Sequence, residues 1–164
     1  MIATTTHKRV LVRTLARKQQ AGYLDPNELS AAEMELLSPE GTLYRLSRPD
    51  IQAIYFVKDF ACSSLLEKSP AIERRPRGPG LWVRLRCRDQ RWIEAILPND
   101  LLSLAGDLNL VPLGMEEFCP RVYIPRQAIL EFQVREVLQP PQRRRRALDR
   151  PAPETQMDLF GQPE

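Results

Sequence analysis

Leu81-Trp82-Val83-Arg84-Leu85-Arg86-Cys87-Arg88 alternates strictly, with Leu81, Val83, Leu85 and Cys87 facing one way and Trp82, Arg84, Arg86 and Arg88 the other. Period-two alternation is the mark of a strand with one buried face. The same pattern opens the chain, where Val10, Val12 and Thr14 oppose Leu11, Arg13 and Leu15. Matching Val12-Arg13 to Val83-Arg84 sets two stretches side by side, and the match continues in order. Arg17-Lys18-Gln19 and Asp89-Gln90-Arg91 turn the chain, and Asp25-Pro26-Asn27 and Pro98-Asn99-Asp100 break the returning strand. Glu33-Met34-Glu35-Leu36-Leu37 is answered by Asp107-Leu108-Asn109-Leu110-Val111, and Tyr44-Arg45-Leu46-Ser47-Arg48 by Val122-Tyr123-Ile124-Pro125-Arg126. Ile51, Ile54 and Phe56 correspond to Ile129, Phe132 and Val134. Self-similarity over this length indicates a duplicated unit.

Within each copy the pattern gives five short strands. Asn27–Leu37 reads either as a helix capped by Asn27 or as a strand over 33–37 after a loop or one helical turn, and the alternation favours the strand. Ser38-Pro39-Glu40-Gly41 is a hairpin turn and Ser47-Arg48-Pro49-Asp50 a corner leading into the apolar strand Ile51–Lys58. A short helix is expected within 61–72, and the Arg/Pro/Gly stretch 73–80 reads as a linker. Past Val137 the Pro-rich, Arg-rich composition supplies no core, so disorder is expected. The expected fold is all-β: small five-stranded barrels at 8–61 and 81–138, a linker at 62–80 and a tail at 139–164.

Five short strands with a tight corner between the fourth and fifth resemble an SH3-like or Sm-like barrel. Arg9-Val10-Leu11-Val12-Arg13, Gly22-Tyr23 and Tyr55-Phe56-Val57-Lys58-Asp59-Phe60 resemble uncharacterised bacterial small-barrel domains found beside PilZ-type signalling domains. That resemblance implies a fold and no activity. The arginine pair and Asp/Asn-x-Ser-x-x-Gly stretch of PilZ itself are missing.

In 164 residues, 43% hydrophobic content suffices for a core, while 15 prolines and 7% aromatics favour short elements and turns. A net charge of +3 argues against a broad grip on duplex DNA, which rests on many neutralised phosphates. Cys62, Cys87 and Cys119 lack Cys-x-x-Cys spacing, and His7 is the only histidine. Neither a zinc site nor a Ser-His-Asp or Cys-His catalytic set is therefore expected, nor any cofactor. The odd cysteine count and the lack of an apolar leader or membrane-length run point to a cytoplasmic protein.

Two stretches suggest contacts. Trp82, Arg84, Arg86 and Arg88, with Trp92 on the returning strand, combine flat rings and guanidinium groups as a single-strand nucleic-acid surface does. The alternative is a solvated strand face paired with Glu94 and its neighbours. In the tail, Gln156-Met157-Asp158-Leu159-Phe160 resembles the bacterial sliding-clamp-binding motif, with Met where Leu is commoner. By that resemblance Gln156 enters a polar pocket while Leu159 and Phe160 fill a hydrophobic groove of the clamp. Arg143, Arg144, Arg145 and Arg146 would add charge beside DNA or serve as a soluble linker. The expectation is a non-enzymatic adaptor on the DNA sliding clamp in replication or repair. Its alternatives are a signalling module and a DNA- or RNA-binding protein, and the sequence leaves the oligomeric state open.

Overall fold

Alternating apolar residues separated by Pro, Gly and Asn turns produce ten antiparallel strands in one sheet among the described residues. The computed structural model describes residues 6–68 and 72–139. The first half contributes β1 (Lys8–Thr14), β2 (Gln19–Leu24), β3 (Glu33–Leu37), β4 (Leu43–Ser47) and β5 (Ile51–Phe56). The second contributes β6 (Gly80–Cys87), β7 (Trp92–Leu97), β8 (Leu108–Pro112), β9 (Arg121–Ile124) and β10 (Ile129–Leu138). The sheet order is β10-β6-β7-β8-β9-β5-β1-β2-β3-β4, so each half repeats the order five-one-two-three-four. A seam between β5 and β9 joins them, with Ile54 opposite Tyr123, Tyr55 opposite Val122 and Phe56 opposite Arg121. The fold is all-β, with 3-10 turns at Pro26–Ser30, Arg48–Asp50, Phe60–Glu67 and Arg126–Ala128 and, among the described residues, one short helix, α1 (Leu101–Ala105).

The duplication is visible in the hydrogen bonds, in a register that at the first strand lies two residues from the sequence match. Thr14 accepts from the Arg17 N–H and donates to Lys18, while Cys87 accepts from Gln90 and donates to Arg91. Arg17 and Gln90 both take positive φ, 62° and 69°. Arg13 therefore corresponds to Arg86, not to Arg84. A two-residue slip returns every side chain to its original face, so alternation alone does not detect it.

Asp25, rather than Asn27, caps the turn Pro26–Ser30, its side chain accepting from the Asn27 N–H. Asp100 does the same for α1 through the Leu102 N–H, which makes a helix where the sequence reads as a turn. β5 ends at Phe56, two residues short of the expected strand.

Two clusters of buried side chains fill the molecule. One holds Val10, Val12, Leu24, Met34, Leu36, Ile54 and Phe56 from the first half, with Tyr123 from the second. The other holds the apolar face of β6–β9, into which Leu11, Ala53, Tyr55 and Leu66 of the first half project. β1 and β5 thus have a core on each face, and all six residues of β5 are buried. That explains why Ile54–Val57 is a continuous apolar run rather than an alternating one.

Gly22 of β2 lies tightly under β3. A Cβ there would stand 2.6 Å from the Leu37 carbonyl oxygen and 2.8 Å from the Leu36 side chain. Gly22→Ala is expected to lower stability by about 1–3 kcal/mol, the usual cost of overpacking. A urea titration gives the measurement, and an unchanged midpoint would contradict the close approach.

Candidate functional site

The β6–β7 hairpin buries Val83, Leu85 and Cys87 and turns Trp82, Arg84 and Arg86 outward as half-buried residues. Trp92 begins β7 opposite Arg86, and Glu94 stands opposite Arg84. The Arg84 guanidinium lies 4.2 Å from the centre of the Trp92 ring and that of Arg86 5.8 Å from it. Arg84 is 3.9 Å from Glu94, and Arg86 forms a 3.1 Å ion pair with Glu131. The Trp82 indole N–H donates to Glu94 at 3.1 Å. Four of the five residues expected on this face thus assemble into one surface, interleaved with carboxylates. Arg88 lies past the end of β6 and is exposed. The Nε–H groups of Arg84 and Arg86 are buried, and neither has an acceptor among the described residues.

This surface forms one wall of a cleft of about 470 Å³, whose lining includes Arg13, Tyr55, Arg84, Arg91, Trp92 and Glu94. Arg13 projects from β1, only 5% exposed, and donates to the Leu66 carbonyl oxygen at 2.8 Å and the Tyr55 hydroxyl at 3.4 Å. The same guanidinium stands 5.5 Å from the Tyr55 ring. Burial pushes the Tyr55 hydroxyl up to about 12, only partly offset by the Arg13 charge, so it stays protonated and available as a donor at neutral pH. Three guanidinium groups and an indole around a cavity of this size suit a planar or anionic guest. Sequence reasoning missed the cleft because Arg13, Tyr55 and Trp92 come together only through the packing of the two halves. The one available signal was Arg13, a charge directly following the apolar run Val10–Val12.

A second polar network ties the halves together elsewhere along the seam. Asp107 pairs with Arg48, accepts from the Arg126 N–H at 2.9 Å and lies 2.5 Å from the Tyr123 hydroxyl. Arg48 also donates to the Ser30 carbonyl oxygen at 2.9 Å, and Gln127 donates to the Arg48 carbonyl oxygen at 3.1 Å. Burial, then the Asp107 hydrogen bond and charge, raises the Tyr123 hydroxyl above its ordinary value. Each corner before a fifth strand is thereby held to the other, a structural task.

Cys62, Cys87 and Cys119 are free and buried. Burial pushes Cys87 up to about 11 and Cys119 up to about 12, and it raises Cys62 as well. Such thiols stay protonated at neutral pH and make poor nucleophiles. Among the described residues, no group of three or more His, Cys, Asp or Glu is placed to hold a metal ion, and no helix is long and apolar enough to cross a membrane. Arg143–Arg146 and the peptide Gln156–Phe160 lie outside the described residues.

In comparison with known proteins, a family model described as a family of unknown function, DUF6982, matches residues 6–136. No curated protein and no solved structure matches the chain.

Proposed function

The chain belongs to the DUF6982 family, and from that premise we propose that it is a non-enzymatic, cytoplasmic adaptor that tethers itself to the bacterial DNA sliding clamp in replication or repair. The observation that carries this reading is the peptide Gln156-Met157-Asp158-Leu159-Phe160, which lies beyond the family match ending at residue 136. A Leu-Phe pair in an otherwise hydrophilic stretch is a docking element, filling an apolar groove while Gln156 supplies a polar anchor. Arg143–Arg146, between the sheet and the peptide, would add charge close to DNA threaded through the clamp. The folded part then acts as cargo, presenting its surfaces near the clamp. The buried, protonated thiols support a role without catalysis.

The test is a titration of the full chain with purified clamp. Replacing both anchors, Leu159→Ala with Phe160→Ala, is expected to weaken binding by at least about tenfold, since a few buried apolar anchors carry most of a peptide's affinity. Unchanged affinity in the double variant would overturn the reading.

A second reading has one observation in its favour. The guanidinium groups of Arg84 and Arg86, on one strand face beside the Trp92 ring, suit a phosphate and a stacked base of single-stranded nucleic acid. Against it, Glu94 and Glu131 already offset both charges. Oligonucleotide affinity that does not change with salt would exclude it.

A further inference from the structure

The seam inside the molecule is itself a pattern for joining molecules. A fifth strand, β5, pairs antiparallel with a fourth strand, β9. The sheet ends on one more fourth strand, β4, and one more fifth strand, β10, and neither has an outer strand neighbour among the described residues, while the Arg75 side chain ion-pairs with Glu136 of β10. We propose that the β4 edge of one copy pairs with the β10 edge of a second copy in the geometry of the β5–β9 seam, giving a head-to-tail assembly of this chain.

Residue equivalence between the halves fixes the register. Val12 stands opposite Ile54 as Leu85 stands opposite Phe132, so Ile54, Tyr55 and Phe56 correspond to Phe132, Gln133 and Val134. Met34 stands opposite Leu46 as Leu108 stands opposite Ile124, so Arg121, Val122 and Tyr123 correspond to Leu43, Tyr44 and Arg45. Transferring the seam pairs places Leu43 against Val134, Tyr44 against Gln133 and Arg45 against Phe132 of the next copy.

Exposure follows this equivalence. Phe56 is 6% exposed in the seam, whereas Val134 is 51% exposed at the open edge. Val122 is fully buried, and its counterpart Tyr44 is 41% exposed. Leu43, Leu130 and Val137 are likewise exposed large apolar residues on these two strands. An open edge with apolar side chains is a template for another strand, and the partner shown to fit a fourth strand of this repeat is a fifth strand of the same repeat. Because the contact joins two different edges it is heterologous, and it gives a ring where the rotation closes.

Native mass spectrometry and sedimentation of the full chain test this. The wild type is expected to form a species of more than one copy. Leu43→Lys, which blocks β4, and Val134→Lys, which blocks β10, are each expected to give monomers of unchanged circular dichroism. Mixing the two variants should restore a one-to-one pair, since each keeps the edge the other lacks. Should either variant fail to fold, Tyr44→Glu and Val137→Lys serve on the same edges. A wild type monomeric at every concentration overturns the proposal, because the edges are then unused or covered by the chain itself. So does assembly that survives a blocked edge, which would mean symmetric pairing of like strands, and so does a mixture that stays monomeric.

Discussion

Taking the protein from pH 9 to pH 12 is expected to unfold it cooperatively. Burial raises Cys87 from 9.0 to about 11, Cys119 from 9.0 to about 12 and Tyr55 from 10.0 to about 12, and Tyr123 also moves upward. In each case the folded state holds its proton at a pH where the unfolded chain releases it. Their contribution is complete below the unfolded values and is lost as pH climbs toward the folded ones. Linkage assigns about 2–3 kcal/mol to each of Cys87 and Tyr55 and about 4 kcal/mol to Cys119. Together these rival the whole stability of an ordinary domain, roughly 5–15 kcal/mol. Circular dichroism followed alongside tyrosinate absorbance reads the result. Structure and the hydroxyl protons of the buried Tyr55 and Tyr123 should be lost in one step above pH 10, the ordinary tyrosine value. Gradual ionisation with the sheet intact would show that the buried groups are reachable by hydroxide.

Tyr55→Ala is expected to cost about 3–5 kcal/mol, the range for emptying a large aromatic site in a core. Tyr55 is 2% exposed and packs with Leu11, Leu66 and the β6–β9 face. Its removal opens a void where the halves meet and takes away the ring and hydroxyl beside the buried Arg13 guanidinium. Tyr55→Phe keeps the ring and loses only the long 3.4 Å contact to Arg13, so it should cost about 1 kcal/mol. Denaturant midpoints for the two variants separate packing from hydrogen bonding. Equal losses would mean that the hydroxyl, not the ring, holds the site.

The strands were readable because their signals are local. Val83, Leu85 and Cys87 alternate with arginines, and Ser47-Arg48-Pro49-Asp50 turns where Pro and Asp favour turning. The internal match also placed the third, fourth and fifth strands of each half in correct correspondence. The β5–β9 seam was not readable, because nothing in Ile54-Tyr55-Phe56 specifies a partner nearly seventy positions away. The cleft depends on that seam and was hidden with it. Trp82, Arg84, Arg86 and Trp92 were found by their shared face, whereas Arg13 and Tyr55 needed the two halves folded against each other. The short helix Leu101–Ala105 was missed because Pro98-Asn99-Asp100 carries turn chemistry, and the same Asp100 that ends the turn starts the helix.

A strand lined with side chains on both surfaces has two masters. A substitution in Ile51–Phe56 that suits the cluster around Met34 must also leave the cluster around Leu85 undisturbed, since neighbouring residues of the strand serve alternate sides. Energetic effects of changes in one half should therefore depend on the genotype of the other, a coupling that distant sites in independent domains lack. After the duplication the two copies were then not free to drift apart: this stretch would constrain each to the shape of its twin.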